Sequence, residues 1–254
     1  MKLDAATFLV QWSTGGLAFL WLTTRRREVG IGYGWLLRAI YGVLGAGGLA
    51  ILLAQGVDST ARAVAAIGAG GVVVGSVMAL GASIRHRTLE SFDTRVDLIA
   101  PVSGLAALLG AATFVGGGAV LAAARLVVGA AFLGCIADAM LLGHWYLVQP
   151  GLRREPLGEL VRWNAWLWPV EVGLLLVPTG MVSALVGTID DGYNGLLGWV
   201  WVACAVSTIA LVGVTWLALR ERYYSAVMSA TGLLYLAILT AFGTDLIARA
   251  VLAP

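Results

Sequence analysis

Four ionisable residues lie inside long apolar stretches of this sequence: Asp138, His144, Glu171 and Asp245. A titratable side chain surrounded by hydrocarbon is costly to keep, so each is a candidate for proton or ligand chemistry. Asp138 stands ten residues before Val148, and Glu171 stands ten residues beyond Val161, where the next apolar run begins. At 1.5 Å per residue both would lie ~15 Å deep. A short loop joins the two runs, which makes them antiparallel neighbours and brings two carboxyl groups towards one midplane. Like charges at that depth cannot both ionise cheaply, so Asp138 and Glu171 are proton-relay candidates. The competing reading is two protonated groups, each hydrogen-bonded across a helix interface. Pro169 and Pro178 flank Glu171. Proline frees backbone carbonyls and kinks a helix, which suits either a cavity wall or plain packing.

His144 belongs to Gly143-His144-Trp145-Tyr146, about one turn inside the end of its run. An imidazole among aromatic rings at the headgroup boundary suits a quinone carbonyl, and it equally suits a satisfied interfacial histidine. The other histidine, His86, falls in the loop Arg85-His86-Arg87, so a bis-histidine haem is not expected. Cys135 and Cys204 lack metal-type spacing, and no metal site is predicted. Asp245 and Arg249 are four residues apart near the end of the last run, a spacing that puts them on one helix face. They read as a structural pair or as one wall of a site opening outward.

Sixty per cent of the 254 residues are hydrophobic and 12% are charged, against roughly 25% charged in soluble domains. Apolar runs cover about 5–23, 35–55, 62–84, 96–116, 119–148, 161–187, 194–218 and 224–252. Each approaches the roughly 20 residues that cross a bilayer. The long stretch 96–148 divides at Gly116-Gly117-Gly118. The expected fold is therefore all-α, a polytopic transmembrane bundle of about eight helices. Arg25-Arg26-Arg27 follows the first run instead of preceding it, which marks a retained helix and not a signal peptide.

With that count, twelve basic residues fall on one side: Arg25, Arg26, Arg27, Arg38, Arg85, Arg87, Arg95, Arg153, Arg154, Arg162, Arg220 and Arg222. Four fall on the other: Lys2, Arg62, Arg125 and Arg249. The excess marks the cytoplasmic side and predicts N-out and C-out. Trp145, Tyr146, Trp163, Trp166, Trp168, Tyr223 and Tyr224 sit where runs should cross interfaces. Gly71 and Gly75 form a GxxxG packing face. An Arg-containing loop followed by a Trp-containing run occurs after both the first and the fifth run, which suggests two parallel four-helix halves, 1–117 and 118–254, within one membrane domain.

The last run reads Gly232-Leu233-Leu234-Tyr235, then Phe242-Gly243-Thr244-Asp245-Leu246-Ile247-Ala248-Arg249. Over about twenty residues it resembles the terminal helix of the polytopic anchor subunits of dimethyl sulfoxide reductase and polysulfide reductase. In that family an acid and an arginine four apart close a chain of eight helices. The acid here is Asp245 where the family would lead one to expect glutamate, and the second and third runs lack the histidine associated with quinol chemistry. The resemblance implies a membrane subunit of a respiratory or other redox complex, anchoring partner subunits and binding menaquinone or ubiquinone. His144, Trp145, Tyr146, Asp245 and Arg249 are the quinone-binding candidates.

The alternative is a proton-coupled transporter of a small solute that uses the Asp138–Glu171 pair. A lipid-modifying enzyme lacks a polar cluster at one interface. Phosphate loops and nucleic-acid patches are absent from the sequence, and topology with anionic lipid accounts for the arginine clusters. The expected partners are membrane lipid and other subunits of a complex in a bacterial cytoplasmic membrane.

Overall fold

In hydrocarbon a lone segment satisfies its own backbone only as a helix, and helices make up this chain. The computed structural model describes residues 4–86, 88, 91–114, 118–176, 180–189, 191–221 and 223–252. Lys2, Arg87, Gly116, Gly117, Pro178 and Arg222 lie outside the described residues. Helix α1 spans Ala5–Thr24, α2 Ile31–Ala54 and α3 Thr60–His86. A 3₁₀ turn at Thr94–Leu98 leads into α4, Ile99–Ala112. Then come α5 at Ala119–Trp145, α6 at Glu155–Leu176, the short α7 at Met181–Leu185, α8 at Leu196–Ala218 and α9 at Tyr224–Val251. No strand occurs among the described residues.

Seven of these helices, with the 3₁₀ turn and α4 counted together, are long and apolar enough to cross a membrane. Helix α6 falls outside that class despite its 22 residues, because Glu155, Glu159, Arg162 and Glu171 interrupt its apolar character. It also differs from the expected run at 161–187. It begins at Glu155, with Pro156 in the first turn where no intrahelical donor is lost. It ends at Leu176, and Met181–Leu185 forms a separate helical turn.

The helices pack as two rings of four. In the first, α1 touches α2 and α4, and α3 bridges α2 and α4. In the second, α5 touches α6 and α9, and α8 bridges α6 and α9. The rings join where α1 lies along α5, with α4 beside them. Gly68, Gly71 and Gly75 press on α4 at Ala107, Ser103 and Ala100. Both α1 and α5 run in the same direction, since Gln11 lies at Gly129 and Gly15–Gly16 lie at Gly134.

This α1–α5 seam is backbone against backbone. A Cβ on Gly15 would stand 1.7 Å from the Ala130 carbonyl oxygen, and one on Gly134 2.1 Å from the Gly15 carbonyl carbon. Small residues allow that approach, and apolar packing in lipid depends on it. At one end of the bundle gather Arg25, Arg26, Arg85, Arg95, Arg153, Arg154 and Arg220. There Glu159 receives both Arg25 at 2.9 Å and Arg26 at 3.1 Å. At the other end Asp191 caps α8, accepting from the amides of Gly195 (2.8 Å), Tyr193 (2.9 Å) and Leu197 (2.8 Å). Those amides, Gly195 foremost, hold its carboxyl below the usual range.

Gly134→Ala forces the seam apart and should cost about 3 kcal/mol of stability, the upper range for overpacking. Gly232→Ala meets open space and should be neutral or slightly stabilising. Thermal unfolding of both variants in detergent checks the contrast.

Candidate functional site

One buried polar cluster draws on four helices. On α9 the Arg249 Nε donates to Asp245 Oδ2 at 2.6 Å, and both side chains are at most 1% exposed. The Arg249 Nη2 donates to Oε1 of Gln11 on α1. The guanidinium also stands over the Phe8 ring, 5.7 Å from its centre. Glu171 on α6 is buried and lies within electrostatic reach of Asp245, Arg249 and Arg125. Gly129 on α5 is the floor. A Cβ there would lie 2.2 Å from Gln11 Nε2 and 3.4 Å from Glu171 Oε1, so a glycine admits both side chains at one level.

One guanidinium does not neutralise two carboxyl groups. Arg125, half-buried, brings a second positive charge near, and its Nε donates to the Leu174 carbonyl at 2.9 Å. Four polar atoms in the cluster are buried with no hydrogen-bond partner among the described residues: Gln11 Nε2, Arg249 Nη1, Glu171 Oε2 and Asp245 Oδ1. Two are donors and two are acceptors. Buried polar atoms are normally paired, so four at one place mark a polar site and not a packing core. Gln11 and Glu171 each stand five or six residues from the nearer helix end, about 8–9 Å in. Leu175, Met181, Ala184, Trp201, Ala248 and Val251, from α6, α7, α8 and α9, form an apolar cluster.

Asp138 stands elsewhere. Its Oδ1 accepts from the Tyr41 hydroxyl, and its backbone carbonyl accepts from Tyr33 at 3.3 Å. The Tyr41 carbonyl in turn accepts from Ser13 at 2.6 Å. Glu171 lies level with Gly129, nine residues from Asp138 on α5, about 13 Å along the axis. The expected midplane pair is therefore two separate sites. The physical reason is the early start of α6. Glu171 is sixteen residues from Glu155 and only five from the end of α6, not ten residues into the helix.

The five quinone-binding candidates also divide. His144 is exposed and meets Tyr235 edge-on at 6.3 Å between ring centres. Tyr235 is ten residues from Asp245 on α9, about 15 Å. Trp145 donates its Nε1 to Gln149 Oε1 at 3.1 Å, and the same oxygen accepts from the Gly30 amide at 2.8 Å. Tyr146 is buried, and its hydroxyl donates to the Arg153 carbonyl. Burial pushes the Tyr146 phenol well above its usual range, so it stays a neutral donor. This cluster ties the α1–α2 and α5–α6 loops together at the arginine-rich end, while Asp245 and Arg249 belong to the opposite end. The two groups do not form one headgroup site.

Two further buried groups matter that sequence reasoning did not single out. Gln11 was legible as an amide in an apolar run. Arg38, which falls at the start of the 35–55 run and counts among the twelve basic residues of one side, is buried in α2. Its Nε and Nη2 donate to the two oxygens of Asp97 at 2.7 and 2.8 Å, and Nη1 donates to Ser83 at 3.1 Å. The Phe92 ring lies 4.7 Å beneath the guanidinium. This fork joins α2, α3 and the start of α4. No cluster of His, Cys, Asp and Glu that could hold a metal ion occurs among the described residues. Comparison with known protein families, with curated proteins and with solved structures finds no match.

Asp97→Ala leaves Arg38 charged and buried, and should cost about 3–5 kcal/mol. The double variant Arg38→Met with Asp97→Leu should be distinctly more stable than Asp97→Ala alone. Unfolding measurements on all three chains check this order.

Proposed function

We propose that this chain is a membrane subunit of a redox complex that anchors partner subunits and exchanges protons through its Gln11–Glu171–Asp245–Arg249 quartet. On this reading α6 is an eighth span, completed by its place in the second ring. The arginine-rich end faces the cytoplasm of a bacterial cell, so both termini lie outside and the quartet sits near the outer face.

The observation that carries the reading is the set of four partnerless polar atoms, two donors and two acceptors, beside two buried carboxyl groups. Water bound in such a place finds the two to four polar partners it needs. A proton moving between that water and Glu171 or Asp245 does so next to a fixed guanidinium, which offsets the charge on either carboxylate. Chains of acidic groups are how protons cross hydrocarbon in pumps and redox subunits. The acid–arginine pair of the last helix, which carries the family resemblance, is the centre of the quartet.

The residues expected to contact menaquinone or ubiquinone stand at opposite ends of the bundle, so the reading assigns the quartet protons and assigns no quinone contact. The transporter reading has less support, because the carboxylate pair it needs is split between two clusters.

Purification from native membranes in a gentle detergent, with mass spectrometry of the co-purifying chains, tests the assignment. Stoichiometric iron–sulfur or other redox subunits are expected. A lone chain or a homo-oligomer would overturn the subunit reading.

A further inference from the structure

The second ring is not closed as tightly as the first. The loosest joint in either ring is α6 on α8. These two helices touch where the Trp168 Nε1 donates to the Ala205 carbonyl at 2.9 Å. Towards the arginine-rich end they separate and leave a groove of about 380 Å³. Its walls are Val161, Ala165 and Trp166 on α6, with Ile209, Val212 and Trp216 on α8. Gly213 opens the floor, where a Cβ would meet nothing within 4 Å.

Two cations stand at the mouth. Arg162 lines the groove, is exposed and has no ion pair among the described residues. Arg220 stacks on Trp216, 3.5 Å from the ring centre. The nearest carboxylate on α6, Glu159, is already neutralised by Arg25 and Arg26. The surface thus combines an apolar slot between α6 and α8 with two guanidinium groups, neither in an ion pair among the described residues, at its arginine-rich end.

We propose that this groove is a binding site for an anionic phospholipid, with one acyl chain between α6 and α8 and the phosphate on Arg162 and Arg220. Only an amphiphile satisfies both halves of the surface. A free anion would match the arginines and leave the slot empty, and a zwitterionic lipid would carry its own cation to the mouth. Arginine binds phosphate through a planar fork that lysine lacks, and Trp166 and Trp216 are the amphipathic rings expected at that depth. The bound lipid would fill the open joint and complete the second ring.

The test is native mass spectrometry of the full chain in a mild non-ionic detergent, titrated with phosphatidylglycerol, phosphatidylcholine or inorganic phosphate. Phosphatidylglycerol should be retained, phosphatidylcholine should not, and inorganic phosphate should fail to displace the lipid. Arg162→Ala with Arg220→Ala should weaken phosphatidylglycerol binding by about thirtyfold, from two near-surface charges. The paired control Arg85→Ala with Arg95→Ala should leave binding unchanged. Gly213→Phe should block binding while the thermal midpoint in lipid-free detergent stays near that of the parent chain. Equal retention of both lipids, displacement by phosphate, or an equal loss in the Arg85/Arg95 control would overturn the proposal.

Discussion

Contact between the backbones of α1 and α5 is the constraint from which the rest of the structure follows. At Gly15, Gly16, Ala130 and Gly134 there is no side-chain layer between the helices. That proximity does three things. It joins the two four-helix rings. It drops Gln11 into the space over Gly129, where the amide meets Arg249 from α9 and faces Glu171 from α6. It brings Tyr41 across Gly16 to Asp138, since a Cβ on Gly16 would stand 2.1 Å from the Tyr41 ring. A single larger residue at the seam would move both polar sites at once. Abundant glycine, which in water would loosen a chain, here sets distances.

The second constraint is the scarcity of hydrogen-bond partners in hydrocarbon. Arg38 and Asp97 answer it fully, with both carboxylate oxygens bonded and a third donor on Ser83. Such a completed fork is structural. The quartet is built from the same residue types and is left incomplete, with one partnerless atom on each of its four members. The difference between a closed and an open set of polar atoms separates a clamp from a candidate proton site, although both are equally buried.

Much of this was legible in the sequence, and the failures have definite causes. Helix existence followed from the apolar runs, because only helices satisfy a backbone in lipid. The Gly116-Gly117-Gly118 break falls between α4 and α5, and Asp245 meets Arg249 as its four-residue spacing requires. What failed was depth. Charged residues were read as loop, so Glu155–Leu160 was left out of α6 and Glu171 was placed at the level of Asp138. Arg38 was counted only as a charge of the arginine-rich side, because a partner fifty-nine residues away could not be read from spacing. Partners across helices, such as Gln11 with Arg249, depend on which faces meet. One sequence shows the faces but not their pairing.

Proton exchange at the quartet, apart from the Asp138 site, can be tested on the carboxyl groups themselves. Infrared difference spectroscopy of the purified chain between two pH values reads carboxyl groups directly. A quartet that exchanges protons should give a carboxyl signal with a component that disappears in Glu171→Gln and persists in Asp138→Asn. A spectrum unaffected by Glu171→Gln, or one in which both substitutions remove the same component, would contradict it.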